Sequence, residues 1–316
     1  MENTNINTVN TDPAEIHFTE ADFRPVPQEE RNVDKIYRPL STFLKDALYR
    51  FKKNRLGLVG IIIIFIMILI AIFGPMLSPY DINDQNIPQM NQTPSSEHWM
   101  GTDNLGRDIC VRVMYGARVS LKVGFLAALV AFAIGATYGV IAGYCGGWVD
   151  TIMMRIIEII DSVPQTLYII LLITVWGRSM TNVYLVIGLT GWIGTARTVR
   201  GEVLSLKTRE YIMAAQISNV KPVKIMFKHL VTNAIAPILV SLTLCVPSAI
   251  FLEAYLQFIG LGIVTEPSWG ALASEGLKYI KTFPHMLIFP SLFISVTILA
   301  FNFVGDALRD ALDPKM

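Results

Sequence analysis

The chain has 316 residues, 53% of them hydrophobic and 16% charged, with a formal net charge of +1. Typical soluble domains carry roughly 25% charged residues, so the composition points to a polytopic membrane protein and leaves no footprint for nucleic acid. Cys110, Cys145 and Cys245 show no paired spacing, and His17, His98, His229 and His285 form no ligand pattern, so neither a disulfide framework nor a metal site is expected.

Residues 1–36 are rich in Asn, Thr, Asp and Glu. They cannot offset the entropy of ordering and are expected to form a disordered tail. They also lack the basic start and apolar core of a secretory signal. From Arg38 to Arg55 six basic residues face one acid, Asp46, with Phe43, Leu44, Leu48 and Phe51 interleaved. Residues 37–56 therefore read as a basic amphipathic helix at the membrane surface, or as a stop signal for topology. Residues 57–316 are expected to form the transmembrane domain.

The first span, Leu56 to Tyr80, has no charged residue. Basic residues crowd its start, which places the tail in the cytoplasm. A second span, Val123 to Tyr144, carries Ala127, Ala131, Gly135, Gly139 and Gly143 every fourth residue. Such a stripe lets backbones approach closely, so this helix is expected to be buried against partners. Asp150, Arg155, Glu158 and Asp161 open a third apolar segment. A bare charge at mid-bilayer costs about 2.5–3.5 kcal/mol, so the span itself is expected to run from Ser162 to Trp176. The fourth, Asn182 to Thr195, has Gly188, Gly191 and Gly194 for close packing. A fifth runs from Ile235 to Phe258, with a kink expected at Pro247 in its middle and Glu253 toward its outer end. The last, Phe283 to Val304, carries Asn302.

Between the fourth and fifth spans lies a charged, non-spanning insert, residues 201–234. A short helix from Glu210 to Ser218 is expected to end at Asn219, which tolerates a left-handed turn. Pro222 fits the first turn of a second helix. There Val223, Met226, Phe227 and Leu230 share one face and Lys221, Lys224 and Lys228 the other. A helix–turn–helix at the membrane surface is a shape for docking; taken alone, it reads more readily as an ordinary basic cytoplasmic loop.

Three stretches resemble the C-type permease subunits of the dipeptide, oligopeptide and nickel ABC importers. Gly101-Thr102-Asp103-Asn104-Leu105-Gly106-Arg107-Asp108, continuing to Gly116-Ala117-Arg118-Val119-Ser120-Leu121, is similar to that family's most specific block. Gly305 to Pro314 resembles its C-terminus. The insert resembles its Glu-Ala-Ala…Gly loop, with Met213, Ala214 and Ala215 at the first three positions, Asn219 at the glycine and His229 at a histidine typical of the peptide branch. Met213 removes a charge from that pattern, and Thr232 stands where the branch usually has proline.

The resemblance implies an all-α fold of the type I importer class. It has six transmembrane helices, both termini cytoplasmic, in a bacterial cytoplasmic membrane. It implies a second, homologous permease as heterodimer partner, two cytoplasmic ATPases that bind ATP and magnesium, and an extracellular peptide-binding protein. On it, Glu210, Tyr211, Met213, Ala214, Ala215, Asn219 and His229 would form the ATPase-coupling loop. Leu256 to Gly262 and Pro267 to Gly270 resemble the family's outer re-entrant region; Trp269 there, and Glu253 as the one carboxylate of an apolar run with water or a backbone partner within reach, would belong to the pathway or an outer gate. The chain shows no G-x-x-x-x-G-K-[ST], no G-x-S-x-G and no ligand cluster, so no enzyme activity and no cofactor of its own are expected. An ion-coupled carrier would need charged groups near the midplane, and a membrane scaffold remains a third class. Dipeptides, longer peptides and nickel chelates all remain open as cargo.

Overall fold

The computed structural model describes residues 43–263 and 266–312. The expected tail, the beginning of the juxtamembrane helix and the closing Asp313-Pro314 lie outside the described residues. The described residues form helices joined by loops, with a single isolated antiparallel bridge between Thr102 and Asp108.

Helix α1, Phe43–Lys53, carries Arg50, Lys52 and Lys53 in its last turn. Ala47 and Phe51 are buried, Phe51 together with Ala307 and Ala311, while Leu48 faces outward. After one non-helical residue, Asn54 caps α2, Arg55–Leu77, by accepting from the Gly57 backbone N–H at 3.1 Å. Helix α2 is apolar all round, and most of its Ile and Phe side chains are exposed, as suits a helix bathed in lipid. Its glycines mark the contacts. A Cβ on Gly60 would fall 2.7 Å from the Ala300 carbonyl oxygen, and one on Gly74 2.6 Å from Met114 Sδ.

Helix α3, Ile109–Cys145, is a continuous helix of 37 residues. It begins well before the expected second span and takes in Arg112 and Arg118. At 1.5 Å per residue it is about 55 Å long, so it crosses the bilayer and projects beyond it. Helices α4, Gly147–Asp161, and α5, Gln165–Trp176, follow and meet at an angle of 79°. The bend falls at the start of the expected third span, between it and the charged segment that opens it. The uncharged α5 is only 12 residues, about 18 Å, too short to cross alone.

Helix α6, Met180–Lys207, runs well beyond the expected Thr195. It packs along α3 through the stripe of small residues. A Cβ on Gly135 would meet the Trp192 carbonyl oxygen at 2.6 Å, one on Gly139 the Ala196 carbonyl oxygen at 2.5 Å, and one on Gly143 Val203 Cγ1 at 2.8 Å. The close-packed partner of α3 is therefore another helix of the same chain. On α6 itself only Gly188 is tight, against Val130; a Cβ on Gly191 would make ordinary contact with Ala131 Cβ at 3.8 Å, and Gly194 faces open space.

The insert comprises α7, Glu210–Ile217, then α8, Pro222–Lys224, a π-helical turn, Ile225–Leu230, and α9, Val231–Asn233. Helix α10, Ile235–Phe258, has the expected bounds and contains Pro247. Helix α11, Trp269–Leu277, is short and capped by Ser268, and α12, His285–Leu312, ends the described chain.

Four of these helices, α2, α3, α10 and α12, are long and apolar enough to cross a membrane, or five spans in all if the bent α4–α5 pair counts as one. Helix α6 falls short of the expected sixth by composition, not length. Its Gly, Thr and Arg residues suit a helix buried against α3, where small side chains take the place of lipid-facing Leu and Ile. The fold is all-helical and multi-pass.

Candidate functional site

The insert is built as a helix–turn–helix on its own small core. Ile212, Ile225, Leu230 and Ala234 are buried together with Val140, Val199, Val203 and Ile238, which ties the insert to α3, α6 and α10. Its turn is closed by two backbone bonds, Val220 N–H to the Ala215 carbonyl at 3.1 Å and Asn219 N–H to Gln216 at 3.0 Å. That pair, with Asn219 at φ 55°, is a Schellman motif. Ala215 and Val220 both pack on the core beneath, the apolar contact that accompanies the motif. Asn219 thus takes the left-handed conformation its position in the sequence required.

The second arm differs from the expected amphipathic face. In a π turn bonds run from i to i+5, and the Val231 N–H reaches the Met226 carbonyl. The wider turn brings Ile225 and Leu230, five apart, to the same inward side. Val223 and Phe227, expected with Leu230, are instead 62% and 51% exposed. Lys221, Lys224 and Lys228 are exposed too. On the first arm Glu210, Tyr211, Met213 and Ala214 are exposed, Ala215 is half-buried, and Ile217 is 87% exposed. His229 is half-buried, and its carbonyl accepts from Asn233 Nδ2 at 2.5 Å. Both arms therefore show solvent large apolar side chains, with lysines beside them. Ile217 carries no signal in the motif and was not among the expected site residues.

Two ion pairs fasten the bent α4–α5 pair to α6 just before the insert. Arg200 holds Asp150 with two bonds of 2.5 and 2.6 Å, and Arg197 holds Asp161 at 2.8 Å. Arg155 pairs with Glu158 at 2.7 Å, as their spacing suggests. Lys207 Nζ donates to the Tyr144 carbonyl at 2.5 Å and closes the end of the α3–α6 contact.

At the opposite end of α3 the Gly101–Asp108 block folds into a charged turn. Asp103 accepts from the Leu105 and Arg107 backbone N–H groups, from Arg107 Nε at 2.6 Å and from Arg112 Nη1 at 2.6 Å. Glu275 of α11 reaches Arg107 at 3.2 Å and Arg112 at 3.8 Å. Asp108 caps α3 through the Val111 N–H and bonds His98 Nδ1 at 2.8 Å. Gly106 is required by the fold of this turn: φ is +73°, and a Cβ would lie 1.9 Å from the Asn86 carbonyl oxygen. Arg118 donates to the Ala71 and Ile72 carbonyls near the end of α2. Arg107, Arg112 and Arg118 thus all find acceptors within the protein.

Glu253 and Trp269 are both 0% exposed. Glu253 accepts from Ser268 Oγ at 2.6 Å and Gln257 Nε2 at 3.2 Å, with Ser120 Oγ 3.5 Å away. Trp269 donates from its backbone to Ser120 Oγ and from its indole to the Val113 carbonyl at 2.9 Å. Together they lock α3, α10 and α11. Both side chains are enclosed within this chain, and Glu253, expected to meet water or a backbone partner, is bonded by side chains instead.

A cavity of about 740 Å³ lies instead at mid-length of α3, α6, α10 and α12. Ala127, Ala131, Gly191, Thr195, Pro247 and Asn302 are among its lining. Among the described residues no group of acidic, His and Cys side chains could hold a metal ion.

Residues 135–316 match the family model described as binding-protein-dependent transport system inner membrane component. Residues 42–94 match the N-terminal transmembrane domain of oligopeptide transport permease C. The chain is 46% identical over 93% of its length to an oligopeptide transport system permease protein of Bacillus subtilis, covering 97% of that protein. It is 45% identical over 92% of its length to a dipeptide transport system permease protein of the same organism, covering 91% of it. The corresponding oligopeptide permease of Escherichia coli K12 is 44% identical, over 86% of this chain and 91% of that one. Among solved structures, an inward-facing form of the MetNI methionine ABC transporter aligns with TM-score 0.51 at 16% identity, covering 62% of this chain and 93% of that one. The fold is that of an ABC importer permease, and the chain belongs to the binding-protein-dependent inner-membrane-component family, as a permease of the OppC and DppC kind.

Proposed function

We propose that the chain is one of two permease subunits of an ATP-driven importer for di- and oligopeptides in the bacterial cytoplasmic membrane. It forms the pathway with a second, homologous permease. Two cytoplasmic ATPases bind the ATP and magnesium, and an extracellular binding protein delivers the peptide. The chain itself catalyses no reaction and binds no cofactor. Both termini and the insert lie in the cytoplasm, and the Gly101–Asp108 turn lies outside. The observation that carries the reading is the insert, a helix–turn–helix with Ile217, Val223 and Phe227 exposed, in a chain with no nucleotide-binding motif.

Coupling follows from the connections. Glu210, Tyr211, Met213 and Ala214 on the first arm, with His229 on the second, belong to the face seated in an ATPase groove, while Ala215 and Asn219 shape the turn that presents it. The insert shares one core with α3, α6 and α10. When nucleotide closes the ATPases, the insert moves with them and carries those helices, which changes access to the cavity. Nucleotide can shift the pathway only by favouring one arrangement, and the arrangement must then alter nucleotide affinity in return. Support for peptide as the cargo comes from the relatives' names and from the extent of the identity.

The test is purification in mild detergent followed by reconstitution. The ATPases and a second permease should accompany the chain, and peptide uptake should require ATP and the binding protein. Accumulation of peptide against a gradient by this chain alone in liposomes would refute the proposal.

A further inference from the structure

The mid-length cavity carries no Asp, Glu, Lys, Arg or His on its wall. Its polar groups are Gln165, Thr195, Thr198, Ser241, Ser248 and Asn302, with the Cys245 thiol. The hydroxyls of Thr198 and Ser248 donate to their own helices' carbonyls at 3.1 Å, so each turns only lone pairs to the cavity. Asn302 and Ser241 have no side-chain partner among the described residues and lie at the middle of α12 and near the start of α10. In hydrocarbon such groups would be unsatisfied and costly, so at mid-membrane they belong against water or protein. A carboxamide offers both an acceptor and donors, so it can bond the N–H and the C=O that a peptide bond presents. Pro247 in the same wall lacks an N–H, which takes from the Thr243 carbonyl its helical donor.

We infer that this cavity is a peptide-backbone site on the translocation path, in which Asn302 and Ser241 bond main-chain amides while the uncharged wall passes acidic and basic side chains alike. The inference rests on the importer reading above and adds where this chain meets its cargo and by what chemistry. A fixed charge on the wall would break the neutrality. At about 6 Å and an effective dielectric near 20, a unit charge favours an opposite charge over a like one by well over tenfold.

The experiment uses the whole complex with its binding protein in proteoliposomes, and the tripeptides Ala-Ala-Ala, Ala-Lys-Ala and Ala-Glu-Ala, each at a concentration that saturates the binding protein. Wild-type initial rates should agree within about threefold. Asn302→Leu should slow all three equally, and Asn302→Asp should favour the lysine peptide over the glutamate peptide by tenfold or more. Should Asn302→Asp fail to assemble, Ser241→Asp places the charge on the same wall. Assembled Asp variants that scale all three rates equally overturn the inference, as does a wild-type complex that discriminates more than tenfold by charge. A wild-type complex that moves none of the peptides, and whose ATP hydrolysis none of them stimulates, overturns the importer reading itself and the inference with it.

Discussion

Gly139→Ala isolates the contact on which the helical frame rests. The added Cβ would sit 2.5 Å from the Ala196 carbonyl oxygen and 2.9 Å from the Arg200 backbone nitrogen. Ordinary contact begins at 3.4 Å, so α3 and α6 must separate by 3.4 − 2.5 = 0.9 Å. The obstacle is backbone, which cannot rotate away as a side chain would. Opening this contact also loosens Gly135 and Gly143 on the same face. Overpacking of this kind costs about 1–3 kcal/mol, against which alanine returns up to about 1 kcal/mol of helix propensity. Gly201, also on α6, is the control, since nothing lies within 4 Å of its would-be Cβ. There alanine should be neutral or stabilising. The propensity gain is common to both variants, so with about 2–4 °C per kcal/mol as the scale for soluble domains of 150–250 residues, thermal unfolding in detergent should place Gly139→Ala about 2–12 °C below Gly201→Ala. Equal midpoints for the two variants would show that the close approach carries no stability.

Asn219→Gly should keep the Schellman turn and stabilise the protein by up to about 1 kcal/mol, because glycine enters the left-handed region without a Cβ penalty; Asn219→Val should lower the unfolding midpoint. Arg112→Met leaves Asp103 and Glu275 with Arg107 alone in a mostly buried cluster. Removing one partner from a buried ion pair costs about 3–5 kcal/mol, so the yield of monodisperse protein should collapse. Glu253→Gln retains an oxygen to accept from Ser268 and Gln257, and ATP-driven uptake by the complex should survive it. Loss of uptake together with a new dependence on an ion gradient would favour an ion-coupled carrier.

The apolar runs were legible because lipid imposes length: α10 matches its expected bounds residue for residue, and α2 nearly so. The stripe at Gly135, Gly139 and Gly143 gave a buried face, yet sequence spacing could not say that α6 was the partner. Long-range pairing also hid the rest. Asp150 and Asp161 look like neighbours of Arg155 and Glu158 along the chain, but they bond Arg200 and Arg197 on another helix. The turn at Asn219 was readable from one residue's tolerance of positive φ. The π turn after it was not, since a single change of bonding period reverses which of Val223, Phe227 and Ile225 faces inward. Glu253 showed as an isolated carboxylate in an apolar helix; that Ser268, Gln257 and Ser120 enclose it depends on the packing of α11.

That packing also bears on how the coupling surface should be probed. Ala215 is partly buried in the insert's own core, so a charge there would damage the turn as well as the face it presents. Ile217 and Phe227 are exposed and lie outside that core. The most direct measurement is therefore co-purification of the ATPases, and ATP-driven peptide uptake, with Ile217→Asp and Phe227→Asp combined. Docking by the insert requires that the variant still reach the membrane and pair with the second permease while ATPase binding and uptake fall at least tenfold. ATPases retained at full stoichiometry, with uptake undiminished, would show that the motor grips some other part of the chain.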